Sequence, residues 1–548
     1  MESIGLQRGI PDLDKTRFHD LDALRAFAML LGIVLHGLAS FTGWPIWNIH
    51  DIHQSELYGI PMIFIHGFRM PLFFFVSGFF TMMMWQERGS RGLLIHRSKR
   101  IVLPFFVFGL FLFPIQKNTG TFDDWINKAE KAEKKEFSNL GQAARHGDSV
   151  AIGKFLSEGA GIDGTYDNSL TPLQWASTMG QSETVQLLAD KGAEVNLLGN
   201  IGNAPLHFAT FFGRPESVRI LLENGANPEL RNHDGNRPVD LLMDSRETTQ
   251  IVARNLLQIA ISWDGVKKGR KEVMQLLVTD ETNNLTSVKE MKFDEGNWFT
   301  QNYFIGGQLG TFHLWFIYYL VYLTLAFVLL AKLLSFARLP GFAKWLAESP
   351  FRLLWLLPLT FCAQYFMGDE FGPSTSVNLT PDLIALGYYA LFFGYGAICF
   401  PSKGFHKKIG RLWPISILVS LVVFVIALSL MERKDIEWRY ELITLCSAVF
   451  VWLMIFGLMG VFRKFFSGEN PKIRFVSDSA YWLYIAHLPL VKILQALVSY
   501  WEFPSILKFI FVCFLTTTIL LLSYRYFIRY TWIGTMLNGK RYRTHEAN

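Results

Sequence analysis

Long apolar runs constrain this chain more than any other feature. A run of roughly 18 to 25 apolar residues is long enough to cross about 30 Å of hydrocarbon as a helix. Ten candidates stand near 21–43, 60–84, 98–116, 306–334, 349–367, 380–400, 412–430, 441–462, 477–499 and 505–527. The third is the weakest, with a short apolar stretch from Ile101 to Ile115 that contains Pro104. Only 18% of the 548 residues are charged, and 49 are Phe and 16 Trp, which excludes disordered, collagen-like and disulfide-dense secreted chains. Cys362, Cys399, Cys446 and Cys513 lie inside apolar runs and outline neither a disulfide framework nor a zinc site. A net charge of +6 is too small to argue for a nucleic-acid partner. The expected fold is an all-α polytopic membrane protein of about ten transmembrane helices.

Lys and Arg stay on the cytoplasmic side of short loops. With the N-terminus inside, the inner segments hold 23 of them, among them Arg88, Arg91, Arg97, Lys99 and Arg100, and the short outer loops only Arg433, Lys434 and Arg439. This asymmetry predicts a multi-pass inner-membrane protein with both termini cytoplasmic. The first 17 residues are polar and Arg25 interrupts the first apolar run, so no cleavable signal peptide is expected.

Between the third and fourth runs the composition turns polar and a 33-residue period emerges. Thr171-Pro172-Leu173, Ala204-Pro205-Leu206-His207-Phe208-Ala209 and Arg237-Pro238-Val239 hold one register, and Gly159-Ala160, Gly192-Ala193 and Gly225-Ala226 hold another. This period resembles ankyrin repeats. Pro opens the first helix of each unit and Gly closes the second. The domain reading is therefore a membrane part over 1–116, ankyrin repeats (an inserted α-solenoid) over 137–258, a charged linker with one helix over 259–300, and a second membrane part over 301–548. An array of this kind implies a protein partner of unknown identity. His207 reads as a structural hydrogen-bonding residue. Three apolar runs precede the array, which places it outside the cytoplasm.

Ionisable residues within a span are costly and mark functional sites by default. Arg25 and His36 in the first run are eleven residues apart, three helical turns plus about 20°, so they share a face with about 16 Å between them. The plain alternative is a snorkelling Arg and a His that hydrogen-bonds a neighbouring helix.

Leu21-Asp22-Ala23-Leu24-Arg25-Ala26 followed by His36 resembles the start of the acyltransferase 3 family. His66-Gly67-Phe68-Arg69-Met70-Pro71-Leu72-Phe73-Phe74-Phe75-Val76-Ser77-Gly78 is similar to that family's second-helix motif, and Arg97-Ser98-Lys99-Arg100 to the basic start of its third span. His313-Leu314-Trp315-Phe316, Ser479-Ala480-Tyr481-Trp482-Leu483-Tyr484-Ile485-Ala486-His487-Leu488-Pro489 and Asn538-Gly539-Lys540-Arg541 fit the glucan-biosynthesis branch. The resemblance covers about 1–116 and 300–543, and the ankyrin insert departs from it.

The resemblance implies a membrane O-acyltransferase that moves an acetyl or succinyl group from cytoplasmic acyl-CoA to a hydroxyl of a carbohydrate acceptor, such as a periplasmic glucan. It assigns His36 and Arg25 to catalysis. A neutral imidazole near its ordinary pKa of about 6.5 suits removal of the hydroxyl proton. Arg97 and Arg100, with Arg25, stand where the donor's phosphates would lie. Arg69 binds the acyl carboxylate or pairs structurally. Ser77 lines the acceptor tunnel or, with Gly78, packs two helices closely. Tyr484 and His487 line the tunnel or hold helices together, and His66 and His313 touch the acceptor from the outer ends or serve structure. No bound cofactor or metal is expected: His50-Asp51-Ile52-His53 reads as a solvated loop, Met82-Met83-Met84 as lipid-facing, and Gly306-Gly307 forms no phosphate loop. The competing readings are a transporter or flippase of an anionic substrate, which would use Arg and His inside helices equally, and a receptor whose membrane part only anchors the array.

Overall fold

The computed structural model describes residues 18–117, 137–277 and 304–539, apart from 43, 45–46, 48, 245–247, 250–251, 254–256, 258, 260, 262, 306–307, 310–311, 335–339, 376–378, 403–408 and 434. Arg8, Lys15, Arg17, Arg338, Lys403, Lys407, Lys408, Lys434, Lys540, Arg541, Arg543 and Gly306-Gly307 lie outside the described residues. The chain divides into two compact units, Met1–Lys128 with Phe299–Asn548, and Ala129–Trp298.

The membrane unit begins with α1 (His19–Leu38). A loop then leads to α2 (Gly59–Arg97), which passes through a π turn (Ser98–Val102) into α3 (Leu103–Lys117). Helical geometry breaks once within α2, at Gly89, whose φ of 64° only glycine adopts without strain. The break falls in the charged stretch Glu87–Arg91.

The second unit is the repeat array: α4 (Leu140–His146) and α5 (Ser149–Ser157), α6 (Pro172–Met179) and α7 (Ser182–Asp190), α8 (Pro205–Phe211) and α9 (Pro215–Glu223). Thr171 and Gln174 cap α6 reciprocally. Leu173, Ala176, Val185, Leu188, Leu206, Ala209, Val218 and Leu221 form the shared core. After a 3₁₀ segment (Pro238–Met243), the helix expected in the linker forms as α10 (Trp263–Leu277). It does not stand apart, because its Val273 and Leu277 enter the array core. Arg270 of α10, 1% exposed, donates to the carbonyl oxygens of Phe211 (2.8 Å) and Asp244 (2.6 Å) and to Thr249 Oγ1 (3.0 Å). Trp175, Phe208 and Phe211 on the first helices, with Phe212 just past the end of α8, cluster with Ala253, Leu257 and Ile259.

The membrane unit resumes with a two-residue hairpin, β1 (Phe304–Ile305) and β2 (Gln308–Leu309), antiparallel with Phe304 opposite Leu309. Then follow α11 (Trp315–Leu334), α12 (Pro340–Glu348), α13 (Arg352–Met367), α14 (Leu383–Cys399), α15 (Trp413–Glu432), α16 (Arg439–Phe466), α17 (Pro471–Val498), α18 (Ser505–Ser523) and α19 (Trp532–Asn538).

Each of the ten apolar runs carries a helix, but among the described residues seven stretches are long and apolar enough to cross a membrane. Two features account for the difference from ten. The second and third runs are one continuous stretch, Glu56–Ile115, and α13 and α14 have only 16 and 17 residues. The hairpin also delays the fourth helix to Trp315. At the α2–α14 crossing, a Cβ on Gly78 would overlap the Phe393 carbonyl oxygen and one on Gly396 that of Phe75, so glycine sets the interhelix distance. This contact gives Gly78 the packing role.

Candidate active site

Arg25, Gly32 and His36 recur at spacings of seven and four along α1 and share a face. α17 runs beside that face in the same direction. Arg25 Nη2 donates to Ser477 Oγ (3.0 Å), His36 Nδ1 lies 2.9 Å from His487 Nε2, and Gln495 Nε2 donates to the His36 and Gly37 carbonyl oxygens (2.9 and 3.0 Å). The two residues of the first-run stripe therefore sit at opposite ends of one seam.

At the His36 end three rings meet. The Trp47 ring lies nearly parallel to the His36 imidazole (centroids 5.8 Å, planes 12° apart), and the His487 ring meets it end to end across the 2.9 Å nitrogen–nitrogen contact (centroids 5.0 Å, planes 24° apart). Trp47 Nε1 donates to Gln495 Oε1 (2.9 Å), and the Lys492 ammonium stands 4.8 Å over the Trp47 ring. His313 stands edge-on to His487 at 5.4 Å. Its Nε2 donates to the Ile485 carbonyl (3.1 Å), and the Tyr484 hydroxyl donates back to the His313 carbonyl, which latches the start of α11 to α17.

Arg69 reaches this cluster from α2. A Cβ on Gly32 would fall 2.6 Å from Arg69 Nη1 and 4.0 Å from His487 Nε2, so the missing side chain makes room for the guanidinium beside the histidines. Arg69 Nε has no hydrogen-bond partner and Nη2 meets only Met70 Sδ (3.6 Å). Among the described residues no carboxylate pairs with it. An enclosed cation without a counter-ion is costly unless an anion visits.

At the other end, Arg25 also pairs with Asp22 Oδ1 (3.2 Å). Arg97 Nη2 donates to Thr81 Oγ1 (2.6 Å), its Nε is unpartnered, and it lies within electrostatic reach of Arg25 and Tyr481. Arg100 packs against Gly539 instead. Two expected site residues lie apart from the histidine cluster. His66 Nε2 is held 2.9 Å from the Pro373 carbonyl, and the Ser77 carbonyl accepts from Thr81 Oγ1 (2.7 Å) next to the Gly78 crossing.

Trp47, Lys492 and Gln495 escaped the sequence reading. Lys492 carried a usable signal, a lysine inside an apolar run, but the motif around His487 ends at Pro489. The solvated-loop reading of residues 50–53 is corrected at Asp51. Its carboxylate is buried against Lys508 Nζ (2.6 Å) of α18, while its amide donates to the Ser40 carbonyl (3.0 Å). That anchor holds the loop bearing Trp47. Among the described residues no group of three metal ligands forms.

Comparison with known proteins meets this geometry at the same helices. Residues 18–125 and 271–525 match an acyltransferase domain family, and residues 140–232 match ankyrin repeats in three copies. The first match spans most of the chain, which therefore belongs to the acyltransferase 3 family. A stretch of 88 residues is 33% identical to glucans biosynthesis protein C of Escherichia coli (strain SMS-3-5 / SECEC) and 36% identical to that of Escherichia coli (strain K12). That stretch covers 16% of this chain and 23% of each of those relatives.

Proposed function

We propose that the chain is a membrane O-acyltransferase that moves an acyl group from cytoplasmic acyl-CoA to a hydroxyl of an extracytoplasmic glycan. The supporting observation is the seam itself: an imidazole enclosed by aromatic rings at one end, and Arg25 with Arg97 at the other. His36 takes the proton of the acceptor hydroxyl as its oxygen attacks the thioester carbonyl. The tetrahedral adduct then expels the CoA sulfur, which receives the proton from the imidazolium. Arg25 and Arg97 bind the donor's phosphates, and bidentate-capable guanidinium groups suit them. Arg69, lacking a carboxylate partner, binds a carboxylate on the acyl group, which favours a succinyl over an acetyl donor. Glucans biosynthesis protein C by its name acts in glucan formation, and a periplasmic glucan is the acceptor we propose.

The array recruits a protein or glycan partner from the far side of the membrane. The test is mass spectrometry of envelope glycans from cells with the gene, without it, and with His36→Ala. A mass of about 100 Da per site, the size of a succinyl group, should be present only with the intact gene; identical glycan masses in all three strains would refute the reading.

A further inference from the structure

The two hydrogen-bonded histidines leave one consistent arrangement of protons, and it assigns His487 a role. His487 Nδ1 faces two carbonyl oxygens of its own helix, Tyr484 at 2.8 Å and Leu483 at 3.0 Å. Carbonyl oxygens only accept, so Nδ1 carries the hydrogen. In the neutral ring Nε2 is then a lone pair, and it is directed at His36 Nδ1, 2.9 Å away. His36 Nδ1 must donate across that contact. The proton of neutral His36 is thus spent on His487, and the basic nitrogen is His36 Nε2. No hydrogen bond holds His36 Nε2 among the described residues, and His36 as a whole is only partly buried.

We propose that His487 is a positioning residue that fixes His36 in the Nδ1-protonated tautomer, turning its basic Nε2 toward the substrate space. This rests on the reading of His36 as the general base. The surroundings reinforce the arrangement. The Gln495 amide holds the His36 and Gly37 carbonyls, and the Trp47 ring lies nearly parallel to the imidazole with centroids 5.8 Å apart, which limits the room in which the ring could turn to exchange its two nitrogens. A backbone-anchored histidine thereby does for His36 what a carboxylate does for the base of a hydrolytic triad, without bringing a negative charge beside Arg69.

The test is nitrogen-15 NMR of ring-labelled histidine in the full-length protein in lipid nanodiscs, at about pH 8, above the ordinary imidazole range. His36→Gln assigns the His36 signals. The proposal expects His36 with Nδ1 protonated and Nε2 bare; the opposite pattern overturns it, whatever the activity. Two further variants separate positioning from structure. His487→Leu removes the acceptor, and should release the His36 tautomer and lower kcat by roughly 10 to 10³-fold with KM for acyl-CoA little changed. His487→Gln returns an acceptor oxygen near the place of Nε2 and should restore the tautomer and at least a tenfold share of the lost kcat. Equal losses in both variants with an unchanged tautomer would overturn the proposal. Normal turnover in His36→Gln with the expected tautomer would instead refute the general-base reading alone.

Discussion

At Arg69 a cation sits beside His36 and His487 with a sulfur for company and no carboxylate. A purely structural arginine in an apolar bundle would be expected to bring its own counter-charge. If its counter-charge is the substrate's, selectivity between donors must depend on it. Arg69→Gln should lower kcat/KM with succinyl-CoA at least tenfold more than with acetyl-CoA, measured side by side on one acceptor; an equal loss on both would place Arg69 outside acyl recognition. Part of this residue-level picture was legible in the sequence. The Arg25–His36 stripe follows from helical periodicity and the cost of charge in an apolar run, and Arg69 was named through the resemblance of the second run's motif. The roof over His36 was not legible, because Trp47 and Gln495 meet from segments 448 residues apart. No local pattern encodes such a pairing. Asp51 was hidden for the same reason, since its partner Lys508 lies at the far end of the chain.

Among the elements, the repeat array carries its own tests. His207 opens α8, where Gln174 opens α6. The Ala204 amide donates to His207 Nδ1 (3.3 Å), and His207 Nε2 donates to the Asn236 carbonyl (3.0 Å). Burial holds this imidazole below its ordinary range, against the raising effect of the Asn236 carbonyl. The unfolded chain therefore binds the proton first on acidification. The stability contributed by His207 is full above about pH 6.5 and is lost as the pH falls through the lower folded-state value. His207→Gln should keep the array folded and flatten that dependence, read as protease resistance of the array in the full protein between about pH 7.5 and pH 5.5. An unchanged pH slope would assign it to another group. Arg270→Ala would leave the Phe211 and Asp244 carbonyls unpaired in the core, at a cost of about 2 to 4 kcal/mol. Amide exchange across 205–223 should rise in that variant; unchanged protection would mean that α10 is not needed to close the array. The sequence showed the repeats through their Pro and Gly punctuation. It did not show that α10 belongs to them, because the register holds through Pro238 but α10 begins at Trp263, 48 residues after α9 begins at Pro215 instead of 33.

For the whole molecule, hydropathy located a helix in each of the ten apolar runs but not α12, α19 or the number of crossings, since length decides crossing and α2 runs on into α3 without a loop. The proposed placement of the array across the membrane from Ser90 predicts that, in a cysteine-free background, a cysteine at Asn200 reacts with an impermeant thiol reagent in intact cells while one at Ser90 does not. The reverse pattern would move the array to the cytoplasm. The central claim is that His36 drives acyl transfer from acyl-CoA, and purified protein in proteoliposomes tests it most directly. With radiolabelled succinyl-CoA and a glucan acceptor, the wild type should transfer label to the glucan. His36→Ala, reconstituted to the same level and still binding the donor, should be slower by about 10² to 10⁴-fold. Transfer by His36→Ala at the wild-type rate would contradict the account.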